Sequence, residues 1–435
     1  MSTNRRNFLR KLTTTLLGAG TIPFFETLQG RHLLQVLQEV ASVPCEQLVT
    51  DEVFWRQVRL AYTVSSGIIN LNNGGVSPQP KVVQEAVERY NQLSNETPTY
   101  YMWRILTQGK EPIRRRLAAL AGCDAEEIAI NRNTSEALET VIFGLRLQAG
   151  DEVVLTKQDY PNMINAWKQR AKREGIVLKW LSFDFPIEDN QLIVDQFTQA
   201  FSSKTKVVHL THIINWCGQL LPVKEIAEIA HSKGIQVVVD GAHSFAHLDF
   251  KIPDLNCDYF GTSLHKWLCA PFGSGMLYVR KSRIKNLYPL FAGDDPESED
   301  IRKFENLGTR SLAIEQAIGQ AIEFHLMIGP ERKEARLKYL RNYILEQIKD
   351  IPGVMINTPL QPENSCAIAL VDFQGIPAKE VASELFRNYK IHVVGIDWEN
   401  LQGLRITPNV YTLTEELDVL VKALKEIWKK STIGD

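Results

Sequence analysis

The segment Asp240–His243 reads DGAH, and a short distance further along the chain the segment Ser263–Lys266 reads SLHK. The first follows the aliphatic run Ile235–Val239, whose continuous apolar character predicts a strand buried on both faces. The second closes another strand-like run, Cys257–Leu264. Because α/β sheets bind ligands at the carboxyl ends of their strands, we expect an acid and a lysine to meet there.

An acid and a lysine in this arrangement suit one cofactor, pyridoxal 5′-phosphate. Asp240 can keep a pyridine nitrogen protonated, and the amine of Lys266 can condense with an aldehyde on the ring. These contacts let the ring act as an electron sink. Taken singly, a strand-end acid is often a helix cap and a lone lysine is usually a solvated charge. Together they favour the cofactor, and we predict Asp240 and Lys266 as catalytic residues.

Strand-like and helix-like segments alternate through much of the chain, as in Glu152–Thr156, Met163–Arg173 and Val177–Ser182. This rhythm predicts an α/β fold with a mostly parallel sheet covered on both faces. Beyond Gly308 long helices dominate. We predict a lead-in and large domain over residues 31–320 and a small C-terminal α/β domain over residues 321–435.

The first 30 residues have the form of an export signal. A basic head, Asn4–Lys11, precedes a mildly apolar stretch, Leu12–Phe25, and its adjacent arginines resemble a twin-arginine signal. We therefore expect contact with the export machinery and a periplasmic or exported protein. An ordinary basic amphipathic helix, and with it a cytoplasmic protein, is the alternative.

Composition narrows the function classes. The 435 residues carry a net charge of −2, so a general electrostatic case for nucleic acid is absent. No apolar run is long enough to predict a transmembrane helix. The six cysteines are scattered without a CxxC pair, which leaves open whether any disulfide forms.

A phosphate site is expected where a predicted strand runs into a predicted helix. Thr134 and Ser135 would place hydroxyl and N–H groups at the helix N-terminus, where a dianion is stabilised. Ser263 and His265 flank the lysine and are further donors. Thr309 adds a hydroxyl from elsewhere, which a second subunit could supply.

Other side chains are candidates for the ring itself. Tyr160, in the sequence Asp-Tyr-Pro, would cover one face of the ring by stacking, although a structural tyrosine is almost as good a reading. His243 and His212 would donate to, or orient, the phenolic oxygen.

The candidate substrate residues lie far apart in the chain. Arg405 carries a guanidinium fork that matches an α-carboxylate in two places, and its apolar neighbours favour this role over a surface ion pair. Asn72, Asn73 and Gly74 would line the opposite wall of the cleft.

With these motifs in view, the chain resembles the class V, cysteine desulfurase-like, enzymes of pyridoxal-phosphate fold type I, from about residue 66 to 425. Within that family it is most similar to the isopenicillin N epimerase-like branch. The resemblance implies a large cofactor domain, a small C-terminal domain and a homodimer with sites at the interface, where Thr309 reaches the partner's phosphate. It is carried by Asn72–Gly74, Asn133–Glu136, Asp159–Pro161, Asp240–His243, Ser263–Lys266, Gly308–Thr309 and Leu404–Ile406.

Three positions depart from the family pattern. Tyr160 stands where many members have a histidine, and His212 stands where many have an asparagine. The segment Lys390–Gly403 lacks the nucleophilic cysteine that desulfurases carry there. The last departure argues against a persulfide relay.

The leading hypothesis is chemistry at the α-carbon of an amino acid or an amino-acid-containing metabolite, by epimerisation or transamination. A C–S lyase and a periplasmic siderophore-tailoring enzyme are alternatives within the family. A metal-dependent hydrolase is the alternative from another class, since His209 with His212, and His243 with His247, are spaced like metal ligands. Because His209 and His212 lie three apart on a predicted strand, they would face opposite sides, and we predict no metal site. A non-catalytic cofactor-binding or scaffold protein is a further alternative.

Overall fold

A computed structural model describes residues 23–433. The predicted export segment, residues 1–30, lies outside the described residues except for its last eight. Of those eight, Pro23–Glu26 form one short helix, Thr27 caps the next, and the last three residues begin the helix Leu28–Glu39. Within the described range, no helix is both long and apolar enough to cross a bilayer.

Strands of the described chain form two larger sheets and one short pair. In chain order they are β1 (Ile69–Asn70), β2 (Ile128–Asn131), β3 (Glu152–Thr156), β4 (Val177–Leu181), β5 (Thr205–Thr211), β6 (Gln236–Asp240), β7 (Tyr259–Ser263), β8 (Gly275–Val279), β9 (Val354–Ile356), β10 (Ala369–Phe373), β11 (Ile391–His392), β12 (Val394–Trp398) and β13 (Leu401–Ile406).

The central sheet has seven strands in the order β2-β8-β7-β6-β5-β3-β4. Strand β8 runs antiparallel to both of its neighbours, β2 and β7, and the other neighbouring pairs are parallel. Because the direction reverses between β2 and β8 and again between β8 and β7, strand β2 runs parallel to β3–β7. The carboxyl ends of these strands therefore meet at one edge, as predicted for an α/β fold.

Both faces of this sheet are buried, because alternate residues of a strand point to opposite sides. On β3, for example, Val153 and Leu155 pack into one hydrophobic cluster while Val154 packs into the other. On β6, likewise, Val238 packs into one cluster while its neighbours Val237 and Val239 pack into the other. This double burial explains why these strands read as continuous apolar runs.

Helices cover the sheet and link it to the C-terminal part of the chain. The helix Asn190–Ala200, between β4 and β5, was absent from the sequence prediction. The helices are Pro23–Glu26, Leu28–Glu39, Cys45–Leu48, Glu52–Arg59, Lys81–Glu96, Pro98–Tyr100, Thr107–Ala121, Thr134–Gly144, Pro161–Glu174, Asn190–Ala200, Val223–Ser232, Leu312–Ile328, Pro330–Ile348, Ala378–Tyr389 and Thr414–Ile433.

The C-terminal part builds an antiparallel sheet in the order β12-β13-β10-β9. Its apolar cluster gathers residues between 340 and 427 together with Leu71. Leu71 follows β1, which pairs in parallel with β11. The segment around β1 therefore packs against the C-terminal part of the chain. The predicted division between residues 320 and 321 falls inside the helix Leu312–Ile328 and stays a prediction.

Candidate active site

The carboxyl edge of the central sheet collects most of the predicted site residues. Asp240 is the last residue of β6, and Lys266 lies three residues beyond the end of β7. His212 directly follows β5, where its N–H donates to the carbonyl of Asp240 at 2.9 Å. The strand order therefore brings together residues that are well separated in the sequence.

Lys266 lies next to His243. Its Nζ is 3.0 Å from the Nε2 of His243, whose ring is buried. Burial lowers the pKa of Lys266 to about 8, with Asp240 opposing the shift and Arg405 adding to it. Lys266 is therefore close enough to both charged side chains for their charges to shift its pKa, and roughly a tenth of it is uncharged at pH 7.

Asp240 belongs to a buried cluster of ionisable groups. Burial, and then the charge of Asp159, raise the pKa of Asp240 to about 6, although the N–H of Ala242 donates to its carboxylate at 2.8 Å. Asp159 is also buried and lies 3.1 Å from the Nε2 of His209. Burial lowers the pKa of His209, but the charges of Asp159 and then Asp240 raise it by more than burial lowers it. The pKa of His209 therefore lies above its usual value.

The positions of Asp159 and His209 beside Asp240 are not predictable from the motifs alone. On β5 the residues His209 and Thr211 point to the same side and both contact Asp159, the threonine at 2.7 Å. The spacing of two residues on a predicted strand could have indicated that His209 and Thr211 face the same side. The indole of Trp167 donates to the Nδ1 of His209 at 3.2 Å, which leaves the hydrogen of neutral His209 on Nε2, facing Asp159.

The predicted phosphate residues meet at the start of the helix Thr134–Gly144. The Thr134 N–H donates to the Ser263 hydroxyl at 2.9 Å, and the two hydroxyls are 2.8 Å apart. Asn133 caps the helix by accepting from the Glu136 N–H. A Cβ on Gly275 would lie 2.5 Å from the backbone of Asn133, so this glycine lets the helix start approach the sheet.

Ser135 and His265 are the other two predicted phosphate residues, and they differ in what they can donate. The hydroxyl of Ser135 is half-buried and accepts from Asn162 at 3.5 Å. His265 Nδ1 lies 3.1 Å from the carbonyl of Ser274, which can only accept, so Nδ1 carries a hydrogen. His265 can therefore donate to a phosphate only as an imidazolium. Burial, and then the charge of Lys266, lower the pKa of His265 and so disfavour the imidazolium.

Arg405 is a buried cation on β13 without a carboxylate partner in the described part of the chain. Its two terminal nitrogens donate to the carbonyl of Asn215 and to the side-chain oxygen of Asn72, each at 3.1 Å. Its Nε is buried without a partner. Burial lowers the pKa of Arg405 to about 10, while Tyr160 opposes that shift. These contacts exclude the surface ion pair that was the alternative reading.

The predicted substrate wall divides into different roles. Asn72 contacts Arg405, and Gly74 lies beside His243, because a Cβ there would lie 3.5 Å from that ring. Asn73 is fully buried, and its side chain is engaged by Asn70, Thr407 and Tyr411. With its amide occupied in this way, Asn73 holds the turn, and the structure gives no support for a substrate contact.

His212 and Tyr160 remain available for a ligand. The Nδ1 of His212 is buried without a partner, and burial lowers the pKa of this histidine to about 4, so the ring is neutral. Tyr160 is 40% exposed at the start of the helix Pro161–Glu174, and its effect on Arg405 places it near that cation.

Thr309 lies apart from the other candidates. It follows Gly308 in a loop and lines a surface pocket of about 350 Å³ that also includes Trp103 and Arg310. No other predicted cofactor residue lines that pocket. Its predicted contact with a partner's phosphate stays a prediction.

The two histidine pairs considered as metal ligands have other partners. His247 donates from Nδ1 to the carbonyl of His243 and accepts from the Ala367 N–H, so both ring nitrogens are engaged. His209 contacts Asp159, whereas His212 packs edge-on against Phe250. Among the described residues, the group with metal-ligand geometry is Cys45 with Glu46 and Glu331, elsewhere in the fold.

The residues at the sheet edge fit pyridoxal 5′-phosphate. A lysine with a pKa lowered to about 8, a buried carboxylate and a cradle of hydroxyls at a helix N-terminus match the ring aldehyde, ring nitrogen and phosphate. The unpartnered Nδ1 of His212 and Nε of Arg405 are buried polar atoms of the kind that a ligand satisfies. Asp240, Lys266, Thr134 and Ser263 would hold the cofactor.

Comparison with known proteins agrees with this assignment. The model for the family "Aminotransferase class-V" matches residues 69–395. Isopenicillin N epimerase of Streptomyces clavuligerus is 29% identical, over 85% of this chain and 97% of its own length. A probable cysteine desulfurase of Halalkalibacterium halodurans is 28% identical, over 83% of this chain and 93% of its own length.

A solved structure gives the same fold. The apo cysteine desulfurase of Thermococcus onnurineus NA1 superposes with a TM-score of 0.75 at 23% identity, covering 86% of this chain and 98% of that one. The predictions of fold type I, of an enzyme and of pyridoxal 5′-phosphate as the family's cofactor are confirmed. The chain belongs to the class V aminotransferase family.

Proposed function

We propose that this chain is a pyridoxal-phosphate enzyme that acts at the α-carbon of an amino acid or an amino-acid-containing metabolite, by epimerisation or transamination. The observation that carries the proposal is Arg405, a buried guanidinium without an acidic partner in the described chain. A buried cation is costly unless an anion joins it, and a fork of N–H donors fits a carboxylate. The likeness to isopenicillin N epimerase supports the same substrate class.

The side chains divide the work. The cofactor, when bound, supplies an electron sink for a carbanion at the substrate α-carbon. Arg405 and Asn72 orient the carboxylate of the substrate, since they already contact each other at 3.1 Å. Lys266, with a pKa lowered to about 8, can take or return a proton near neutral pH. Asp240 provides a fixed negative charge for the ring nitrogen.

The cysteines argue against a persulfide relay. Desulfurases are expected to carry their nucleophilic cysteine shortly before the arginine, but this segment forms the hairpin β12–β13 and contains none. Burial raises the pKa of the Cys217 thiol to about 12 and that of Cys366 to about 11, which keeps both protonated. A protonated thiol is a poor nucleophile.

One set of measurements tests the proposal. The purified protein should show a visible absorption band that borohydride bleaches. Incubated in D2O with a panel of amino acids, it should exchange the α-hydrogen of its substrate, seen by NMR. Chiral chromatography then separates epimerisation from transamination, which yields an oxo acid. Released sulfide without exchange of sulfur-free substrates would instead assign a C–S lyase, and a colourless protein that refuses the cofactor would overturn the proposal.

We also propose a homodimer, in which the second subunit completes the site. Tyr100, Trp103 and Ile105 are 50%, 57% and 43% exposed, an unusual apolar exposure for one short segment. Trp103 lines the same pocket as Thr309. Light scattering should give twice the chain mass, and Trp103→Glu should shift it toward the monomer. A monomeric wild-type protein would contradict this assignment.

Export by the twin-arginine route is the proposal for localisation, and it rests on the sequence of residues 1–30 alone. Replacing Arg5 and Arg6 together by lysine should retain a full-length reporter fusion in the cytoplasm, because the route reads the arginine pair. A fusion distributed identically with and without the change would contradict the proposal.

A further inference from the structure

Trp267, the residue directly after the candidate lysine, contacts the neighbour of that lysine. Its indole is fully buried, and its Nε1 lies 3.4 Å from the Nδ1 of His243. An indole N–H can only donate a hydrogen bond. The Nδ1 of His243 must therefore accept, and a neutral His243 carries its hydrogen on Nε2.

This tautomer determines what His243 offers to Lys266. Burial, and then the charges of Lys266 and Arg405, hold the pKa of His243 well below its usual value, so the ring is neutral. Its Nε2 is 3.0 Å from the Nζ of Lys266. An N–H at this position can donate to the lone pair of an uncharged amine, whereas an ammonium has no lone pair to accept it.

Surrounding contacts hold the indole of Trp267 in place. The ring of His247 stacks on it with centroids 3.7 Å apart and an angle of 23° between the planes. His247 is itself fixed by the carbonyl of His243 at 2.8 Å and by the Ala367 N–H at 2.9 Å. The buried Lys333 donates to the carbonyl of Trp267. The backbone of Trp267 is thereby anchored, and its indole cannot turn away without losing the stack on His247 and the contact with His243.

We propose that Trp267 is a positioning residue that fixes His243 as an Nε2–H donor, so that this contact favours the uncharged form of Lys266, the form that captures the cofactor aldehyde. The capture step rests on the proposed function, whereas the tautomer does not. Neither Trp267 nor His247 need touch the substrate for this role.

Other charges around Lys266 act in known directions. Asp240, on β6, raises the pKa of Lys266, and Arg405, on β13, lowers it. Lys266 in turn lowers the pKa of its neighbour His265. His243 is the group that contacts the amine directly. The position of its hydrogen therefore determines whether this contact favours the amine or the ammonium.

The tautomer can be observed directly by 15N NMR. The full chain, stripped of cofactor and labelled at histidine, should show the His243 Nδ1 at the shift of an unprotonated nitrogen and Nε2 at that of an N–H. The signals are assigned by their loss in His243→Gln. A hydrogen on Nδ1 would overturn the proposal in the wild-type protein, whatever the behaviour of any Trp267 variant.

A substitution then tests the effect on Lys266. Trp267→Phe keeps an aromatic ring for His247 to stack on but removes the N–H donor, so His243 can turn Nε2 into an acceptor for an ammonium. We expect the pKa of Lys266 to rise by about one unit, which lowers its uncharged fraction near pH 7 about tenfold. The pKa is measured from the pH dependence of acetylation of Lys266 by acetic anhydride, followed by mass spectrometry.

Trp55→Phe is the matched control, because Trp55 is equally buried and donates to the carbonyl of Leu48 at 2.7 Å in another part of the fold. It should leave the acetylation profile of Lys266 unchanged. An unchanged profile in Trp267→Phe as well would overturn the proposal. Both measurements use cofactor-free protein, so a chain that shows the tautomer but never binds the cofactor would contradict the proposed function and leave this inference standing.

Discussion

The two charged sides of the candidate site are built differently. On the Asp240 side, two buried carboxylates and a histidine lie together, with His209 only 3.1 Å from Asp159. On the Arg405 side, the buried guanidinium donates to a carbonyl and an amide oxygen, and no carboxylate of the described residues pairs with it. Because the charges on the Asp240 side are paired with each other, that side suits a cofactor that stays bound. A buried charge without a counter-charge suits a ligand that arrives and leaves at every turnover.

Lys266 lies between these two sides, and its removal should have the largest effect. Lys266→Ala should lower turnover by at least about 10³-fold, because both the capture of the cofactor and the proton transfer are lost. Steady-state kinetics and the visible spectrum check this. Lys281→Ala, which removes an exposed lysine, is the control and should behave like the wild type. Near-normal turnover in Lys266→Ala would remove this residue from the site.

Removing the carboxylate from the paired side should have the next largest effect. Asp240→Ala should lower turnover about 10²- to 10³-fold, since it removes a preorganised charge from the cofactor ring. Asp258→Ala is the matched comparison, because Asp258 is equally buried but binds Arg283 and His231 at 3.0 and 2.9 Å. We expect that change to lower the melting temperature instead. Full activity in Asp240→Ala would refute the ring-nitrogen assignment.

The unpaired side should respond through substrate binding. Arg405→Lys keeps the charge but loses the fork, and we expect KM for a carboxylate substrate to rise about 10- to 100-fold with a smaller change in kcat. Arg387→Lys, at an exposed arginine, serves as the control. If KM stays the same when the fork is lost, another residue must bind the carboxylate.

A smaller effect is expected from Asp159, the second carboxylate of the paired side. Its charge raises the pKa of Asp240 more strongly than His209 lowers it. Asp159→Asn should therefore let the pKa of Asp240 fall from about 6 toward its usual value. Asp240 then keeps its charge to lower pH, and the acid limb of the activity profile should move down by roughly half a unit to one unit. An acid limb that does not move would show that the two carboxylates act independently.

The site residues that follow strands were predictable from the sequence, whereas contacts between residues far apart in the chain were not. Asp240, Lys266 and Thr134 were predictable because aliphatic runs and a helix start define their positions. The role of Asp159 depends on β5 lying between β6 and β3 in the sheet. No local sequence pattern predicts that strand order. Likewise, Asn73 resembles a ligand residue in sequence, but its partners Thr407 and Tyr411 come from the other end of the chain.

The C-terminal sheet shows the same limit. The sequence predicts a small α/β domain over residues 321–435, but not the individual strands β9, β12 and β13 that build the sheet together with β10. The edge strands β9 and β12 are only partly buried, so their apolar signal is weak, and the interior strand β13 contains Gln402 and Gly403, which interrupt its apolar run.

The sequence by itself determined the fold class, the family and the acid–lysine pair, because burial in a doubly covered sheet imposes continuous apolar strands whose polar ends stand out. The tertiary structure decided which charges are paired, which are left for a ligand, and where the hydrogen of His243 lies. Those properties depend on distances of a few ångströms between segments far apart in the chain, and hydrogen bonding and electrostatic fields change over such distances.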